Sequence, residues 1–221
     1  MKKSRTPQEA GIPAFNPRMA TPEGLVAVGG NLEVETLREA YRLGIFPWPQ
    51  PGLPLLWFSP DPRGILDFDD LHISRSLNKW EKKHADWKYT INQAFPEVIR
   101  YCRLQKRQGQ QGTWILPEME AAYQKLFDEG QILSLEVWED DKLIGGIYGV
   151  LSLTPNGKLI FSGESMFHFQ NNASKMAFVK MVAHLKSQGH TWMDIQMLTE
   201  LTTSLGGKYI SREEFLARLG V

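Results

Sequence analysis

Beyond Thr191 at its start, TWMDIQML, residues 191–198 near the end of the chain, is apolar except for two side chains, Asp194 and Gln196. Side chains alternate between faces along a strand, so Trp192, Asp194, Gln196 and Leu198 share one side, and Met193, Ile195 and Met197 the other. A carboxylate can hold a cation or take a proton, and an amide can orient a neighbour through hydrogen bonds. Burying a carboxylate without a partner costs several kcal/mol. Such a strand therefore pairs Asp194 with a cation, opens it onto a pocket, or lies at a sheet edge with this face in water. The pattern alone leaves the three open.

Other residue types narrow the chemistry. The five histidines (His72, His84, His168, His184, His190) lack metal-ligand spacing, and the single cysteine, Cys102, sits in no nucleophile motif. No Gly-rich phosphate loop of the Walker type is present. No Arg or Gln begins the pattern of two residues, Gly, one residue, then Gly or Ala that would hold a pyrophosphate on backbone amides, which counts against a coenzyme A acetyltransferase. Read on pattern alone, Phe161 and Met166 of FSGESMF are core residues, and Trp48 and Trp114 are packing tryptophans.

The elements that would position these residues follow from periodicity and punctuation. LSLEVWED, LIGGIYGVLSL and KLIFSGESMF are joined by DDK and TPNG turns, so residues 133–167 read as an antiparallel meander. Asn171 or Asn172 then caps a helix ended by Gly189, and TWMDIQML supplies the next strand. That order of strands and helix is the one found in the N-acetyltransferase fold. Helices are expected near 33–43, 74–84, 92–107 and 117–129. Residues 7–62 are dense in Pro and Gly and contain one clear helix, which marks a small domain. The expectation is an α+β chain: a loop-rich N-terminal domain over 1–62, and an N-acetyltransferase-like domain over 63–221. The second has a mixed, mainly antiparallel sheet and flanking helices.

Composition bounds the partners. The chain has 221 residues, 25 basic and 25 acidic, and hence no net charge. Residues 75–107 nonetheless hold nine Lys or Arg and three acids, a local +6, and residues 118–141 a local −7. A basic run usually means a solvated helix face, but phosphate binding needs only such a patch. One cysteine, an N-terminus without an apolar core and no apolar run of about 20 residues point to a cytosolic protein without a membrane span.

Ten segments carry a stronger signal: GLVAVGGNL (24–32), AYRLGIFPW (40–48), LWFSPDPRGIL (56–66), HISRSLNK (72–79), GTWI (112–115), GGIYG (145–149), FSGESMF (161–167), ASK (173–175), DIQ (194–196) and SLGG (204–207). In this order they resemble the leucyl/phenylalanyl-tRNA–protein transferases from about residue 11 to 216. The resemblance implies transfer of leucine or phenylalanine, with methionine as a third candidate, from its tRNA ester to the amino group of proteins beginning with Arg or Lys. Those proteins are thereby marked for degradation. It implies no cofactor, no metal and no membrane partner.

It also implies roles. Asp194 and Gln196 become the apparatus for the attacking amine: the amide oxygen fixes its direction, while the acid supports its charge or takes its proton. Phe161, Gly163 and Met166, with Phe178 and Met181 from the following helix, resemble the pocket for the Leu or Phe side chain, and Glu164 is placed to meet the aminoacyl ammonium. Trp48 and Trp114 match tryptophans that hold the terminal adenosine, and the basic run then has an acceptor stem to grip. Relatives usually have a His-Ser pair where this chain has Leu133-Ser134, a His shortly after DxQ where it has Leu201, and often a C-terminal extension beyond the position of Val221. Neither histidine can be essential to an active protein of this sequence. The rival readings are a coenzyme A acetyltransferase and an RNA- or N-terminus-binding adaptor without catalysis; the intact DIQ and GESMF count against the second.

Overall fold

The computed structural model describes residues 11–50, 52–105 and 114–221. Lys106, Arg107 and the first two residues of GTWI lie outside the described residues. The centre of the molecule is a seven-stranded sheet of order β10-β4-β9-β8-β7-β6-β5. Its strands are β4 (Arg63–Asp67), β5 (Lys88–Ile91), β6 (Ile132–Glu139), β7 (Lys142–Leu153), β8 (Leu159–His168), β9 (Trp192–Gln196) and β10 (Lys208–Ile210). The expected meander is β6-β7-β8, with Glu139 paired to Lys142 across Asp140 and Asp141, both at positive φ. Two consecutive positive φ values suit a two-residue hairpin, and aspartate tolerates them better than most residues.

Every described pairing in this sheet is antiparallel except β8 with β9, which meet at a single register pair, Ser162↔Asp194. These two strands therefore diverge, and the sheet opens at its middle. The edge-strand reading of TWMDIQML fails here. β4 and β10 continue the sheet past β9, leaving Asp194 only 1% exposed. Neither added strand is among the elements expected from the sequence: β4 follows directly on Pro60 and Pro62, and β10 is three residues long.

Helices cover both faces. On one lies α5 (Ala173–Ser187), whose Met176, Ala177, Phe178, Met181, Val182 and Leu185 pack with Leu135, Val137, Phe161, Met193 and Ile195 of the sheet. On the other lie α3 (Phe95–Leu104) and α4 (Pro117–Asp128). They share a core with α1 (Val34–Arg42) and with Trp57 of the small antiparallel sheet β1-β3-β2, formed by Leu25–Val28, Leu56–Phe58 and Phe46–Pro47. Leu37, Ile45 and Trp57 are wholly buried there; burying such a side chain is worth roughly 1.5–3 kcal/mol. The division proposed at 62/63 falls at the first residue of β4. Helix α2 (Arg75–Lys83) is capped by the Ser74 hydroxyl, which accepts from Leu77 N–H. The helix expected from 92 starts at Phe95, because Asn92, at φ +55°, turns back and exchanges hydrogen bonds with Ser134. Short α6 (Glu200–Ser204) and α7 (Arg212–Leu219) complete the chain.

Leu133 and Leu201, at positions where a histidine was expected, pack into the α5-side core. No helix among the described residues is long and apolar enough to cross a membrane.

Candidate active site

Asp194 anchors the cluster at the open middle of the sheet. Its Oδ1 accepts from Arg63 Nε at 2.9 Å and from the backbone N–H of Gln196 at 2.9 Å. Its Oδ2 accepts from the other arm of the Arg63 guanidinium at 2.7 Å and from the Ser162 hydroxyl at 3.1 Å. A carboxylate offers about four lone-pair directions, so all are in use. The pair is buried, with 1% exposure on each side chain, and the forked guanidinium meets the acid in the two-bond geometry that suits it. Arg63 is further held between the rings of Phe46 and Phe215, 5.0 and 4.4 Å from their centroids. Of the three possibilities read from the strand, the structure realises the cationic partner.

Gln196, the last residue of β9, leaves the extended conformation of the strand. Its φ is +60°, and Met197 N–H donates to the Ile195 carbonyl at 2.6 Å, closing a three-residue turn around it. A non-glycine residue in this region costs on the order of 1–3 kcal/mol and persists where its surroundings hold it. The bond to Asp194 Oδ1 fixes its N–H, and Gly64 lets the turn approach: a Cβ there would come within 3.1–3.2 Å of Met197 C and of the Gln196 carbonyl group. The distorted backbone directs the amide toward β8, where its Nε2 donates to Glu164 Oε1 at 2.7 Å. Among the described residues nothing donates to Gln196 Oε1, which is left as an acceptor.

Glu164 owes its position to a β-bulge. Tyr148 pairs with Ser165 and Gly149 with Gly163, which leaves Glu164 as the extra residue on β8. Bulges re-aim side chains in this way, frequently beside active sites. Tyr123 of α4 donates to Glu164 Oε2 at 3.2 Å, and the Tyr41 hydroxyl of α1 lies 2.5 Å from that of Tyr123. Burial pushes the Glu164 carboxyl up to about 7, and the Asp194 charge adds to the rise. Hydrogen bonds from Tyr41, Tyr123 and Gln196 oppose it. Glu164 retains some solvent-accessible surface, so dense protein surroundings rather than complete exclusion of water set this value. Burial and the Glu164 charge hold both phenols well above the usual tyrosine range, which keeps them O–H donors near neutral pH.

The apolar residues differ in exposure. Phe161, Phe178 and Met181 are at most 1% exposed and belong to the α5-side core, while Met166 is half-buried and packs against it. Gly163 is different: a Cβ built on it would lie 3.6 Å from both Asp194 O and Phe161 Cε1, ordinary contact without a clash. Trp48 and Trp114 come together, both half-buried, with ring centroids 6.5 Å apart and planes inclined at 38°.

The basic run is less uniform than its sequence implies. Arg75, Lys79, Lys82 and Lys83 lie exposed on α2, and Arg100 on α3. Arg103, however, is tied to Glu120 at 2.7 Å, and Lys88 faces Asp141 at 3.4 Å.

The sequence reading missed Arg63, Tyr41 and Tyr123. Arg63 and Tyr41 sat unremarked within LWFSPDPRGIL and AYRLGIFPW. Tyr123 shares helical spacing with the buried Met119, Ala122 and Leu126, so it reads as one more core residue.

The chain is an α+β protein whose central mixed sheet parts at the one parallel pair among its described residues, with a polar cluster set in the opening. The model of the leucyl/phenylalanyl-tRNA protein transferase family matches residues 65–220, and that of its N-terminal domain residues 30–61. The leucyl/phenylalanyl-tRNA–protein transferase of Shewanella denitrificans is 44% identical over 212 residues, 96% of this chain and 87% of that protein. That of Chromobacterium violaceum is 47% identical over 208 residues, 94% and 86% of the two chains. The chain belongs to this family. Among solved structures, an aminoglycoside acetyltransferase from a soil metagenome is similar over 48% of this chain and 73% of its own, at 13% identity and a TM-score of 0.36. So weak a likeness carries no argument.

Proposed function

We propose that the protein moves leucine or phenylalanine, with methionine as a third candidate, from its tRNA ester to the α-amino group of proteins beginning with Arg or Lys, marking them for degradation. The observation that carries this reading is Gln196: a strained residue whose amide oxygen is left as an acceptor in the opening between β8 and β9. An aminoacyl ester arrives activated, so the protein's work is to hold ester and amine in line. Gln196 Oε1 accepts a hydrogen bond from the amine and sets its direction of attack. Asp194, saturated by Arg63, Ser162 and Gln196 N–H, fits electrostatic support and positioning rather than proton uptake. The Trp48–Trp114 pair offers aromatic faces for the terminal adenosine, and the exposed cations of α2 suit the phosphate backbone of the donor. Phe161, Phe178 and Met181 form the floor and Met166 a wall of the aminoacyl pocket, with Gly163 leaving the space into which the side chain descends.

Radiolabelled leucyl-tRNA incubated with the protein and a peptide beginning with Arg tests the reading. Label in the peptide is expected, with little transfer to an acetylated peptide. Absence of label overturns it, and transfer from acetyl-coenzyme A instead returns the chain to the acetyltransferases.

A further inference from the structure

We propose that Glu164 is the group that takes the proton from the acceptor amine, with Gln196 aiming that amine and Asp194 taking no proton. The inference rests on the transfer reading above.

The geometry reaches it by exhausting the cluster. An α-amino group has a pKa of about 8, so roughly nine-tenths of it is ammonium at pH 7 and must lose a proton before it attacks. Among the described residues, the titratable and charged groups bonded into the cluster are Tyr41 of α1, Arg63 of β4, Tyr123 of α4, Glu164 of β8 and Asp194 of β9. Asp194 has all four acceptor directions filled, two of them by the buried Arg63 guanidinium, and leaves none for an incoming proton. Both phenols are already protonated and serve as donors, and Gln196 carries no basic atom. Glu164 is left. Gln196 Nε2 occupies only one direction on its Oε1, so an amine resting on Gln196 Oε1 lies beside a carboxylate with room to accept. A carboxyl pushed up to about 7 is divided between its ionised and protonated forms near neutral pH, which suits reversible uptake there.

The step balances as follows. Glu164 removes one proton from the ammonium, and the neutral nitrogen attacks the ester carbon. As the new C–N bond forms and the bond from carbon to the ribose oxygen breaks, the nitrogen's second proton passes to that oxygen. Protonated Glu164 then releases its proton to solvent.

The alternative assignment, a counter-ion for the ammonium of the donor, makes different predictions. Initial rates of transfer to an Arg-initiated peptide would be measured from pH 6 to 9 for the unaltered protein, Glu164→Gln, Glu164→Asp and Tyr123→Phe. The donors would be leucyl-tRNA and its analogue bearing a hydroxyl in place of the α-amino group. If Glu164 takes the proton, Glu164→Gln at pH 7 is on the order of 10²-fold slower with either donor. That deficit shrinks about tenfold toward pH 9, where about nine-tenths of the acceptor is already neutral. Glu164→Asp keeps a titrating acidic limb that Glu164→Gln lacks. Tyr123→Phe, which removes a bond favouring the carboxylate, moves that limb upward. A deficit that is constant with pH and vanishes with the hydroxyl donor overturns the inference in favour of a counter-ion, and no deficit overturns both. Failure of the unaltered protein to transfer at any pH overturns the transfer reading and this inference with it.

Discussion

Removing the cation from beneath Asp194 separates what the buried pair does for the fold from what it does for the site. Arg63→Met keeps the length of the side chain and its contacts with Phe46 and Phe215, but leaves a 1% exposed carboxylate with only the Ser162 hydroxyl and Gln196 N–H as donors. Breaking a buried pair on one side costs about 3–5 kcal/mol, because the stranded charge retains its desolvation penalty. At roughly 2–4 °C per kcal/mol for a chain of this size, the midpoint of thermal unfolding is expected to drop by about 6–20 °C. Replacing both members, as in Arg63→Met with Asp194→Leu, removes the stranded charge and is expected to recover most of that loss, since apolar substitutes for buried pairs are often neutral or better. Turnover is expected not to recover. The double variant still lacks the acceptor that holds Gln196 N–H, and the positive-φ turn is free to relax into ordinary extended backbone. Calorimetry and single-turnover transfer at 20 °C read the two quantities on the same preparations. A double variant that regains both stability and wild-type turnover refutes the reasoning, for it would mean that Gln196 holds its conformation unaided.

Three further outcomes follow from the site's periphery. Trp48→Ala and Trp114→Ala should each raise the KM for aminoacyl-tRNA by an amount equivalent to about 1–3 kcal/mol while leaving kcat and the circular dichroism spectrum nearly unchanged; a fall in kcat alone would make them structural. Gly163→Ala should fold normally, its methyl meeting only ordinary contacts at 3.6 Å, and should lose more activity with phenylalanyl- than with leucyl-tRNA, since it fills space at the floor of the pocket; equal loss would place the aminoacyl side chain elsewhere. Changing Arg75, Lys79, Lys82 and Lys83 of α2 together to Ser should reduce the slope of log affinity for tRNA against log salt by about 3, the release of four sets of counterions, and an unchanged slope would move the phosphate path off this helix.

The frame of the molecule was open to reading in the sequence wherever local rules act. The meander, α1, α2, α4 and α5 lie within a residue or two of their expected bounds, because hydrophobic period, caps and turn residues agree in those stretches. β4, β5 and β10 were not legible, and the reason is common to all three. Each is three to five residues long, too short for a clear period, and is a strand only because a neighbour supplies its hydrogen bonds. The site shows the same division. Asp194 stood out as a charge in an apolar run, and its need for a partner followed from desolvation alone. Which partner did not follow, since Arg63 lies 131 residues away and reaches it only through the β4–β9 pairing. The bulge at Glu164 and the turn at Gln196 break the two-residue alternation that strand reading relies on, so face assignments past them fail.

Those two irregularities are the device by which a rigid sheet presents a flexible amide and a titratable acid to the same point. Regular strands would leave Glu164 and Gln196 aimed by the pleat, each along its own strand. The bulge rotates one and the positive φ rotates the other, and the divergence of β8 from β9 past Ser162↔Asp194 gives them a place to meet at 2.7 Å. Neither distortion would survive without support: an extra strand residue and a left-handed glutamine both relax if the backbone around them can move. The buried Arg63–Asp194 pair supplies one brace and the Tyr41–Tyr123–Glu164 chain the other. Each brace is anchored on elements outside the split, α7 and β2 through the two phenylalanine rings, α1 and α4 through the phenols. The N-terminal segment thus contributes to the geometry at Glu164 even though it supplies neither of the two groups that meet there.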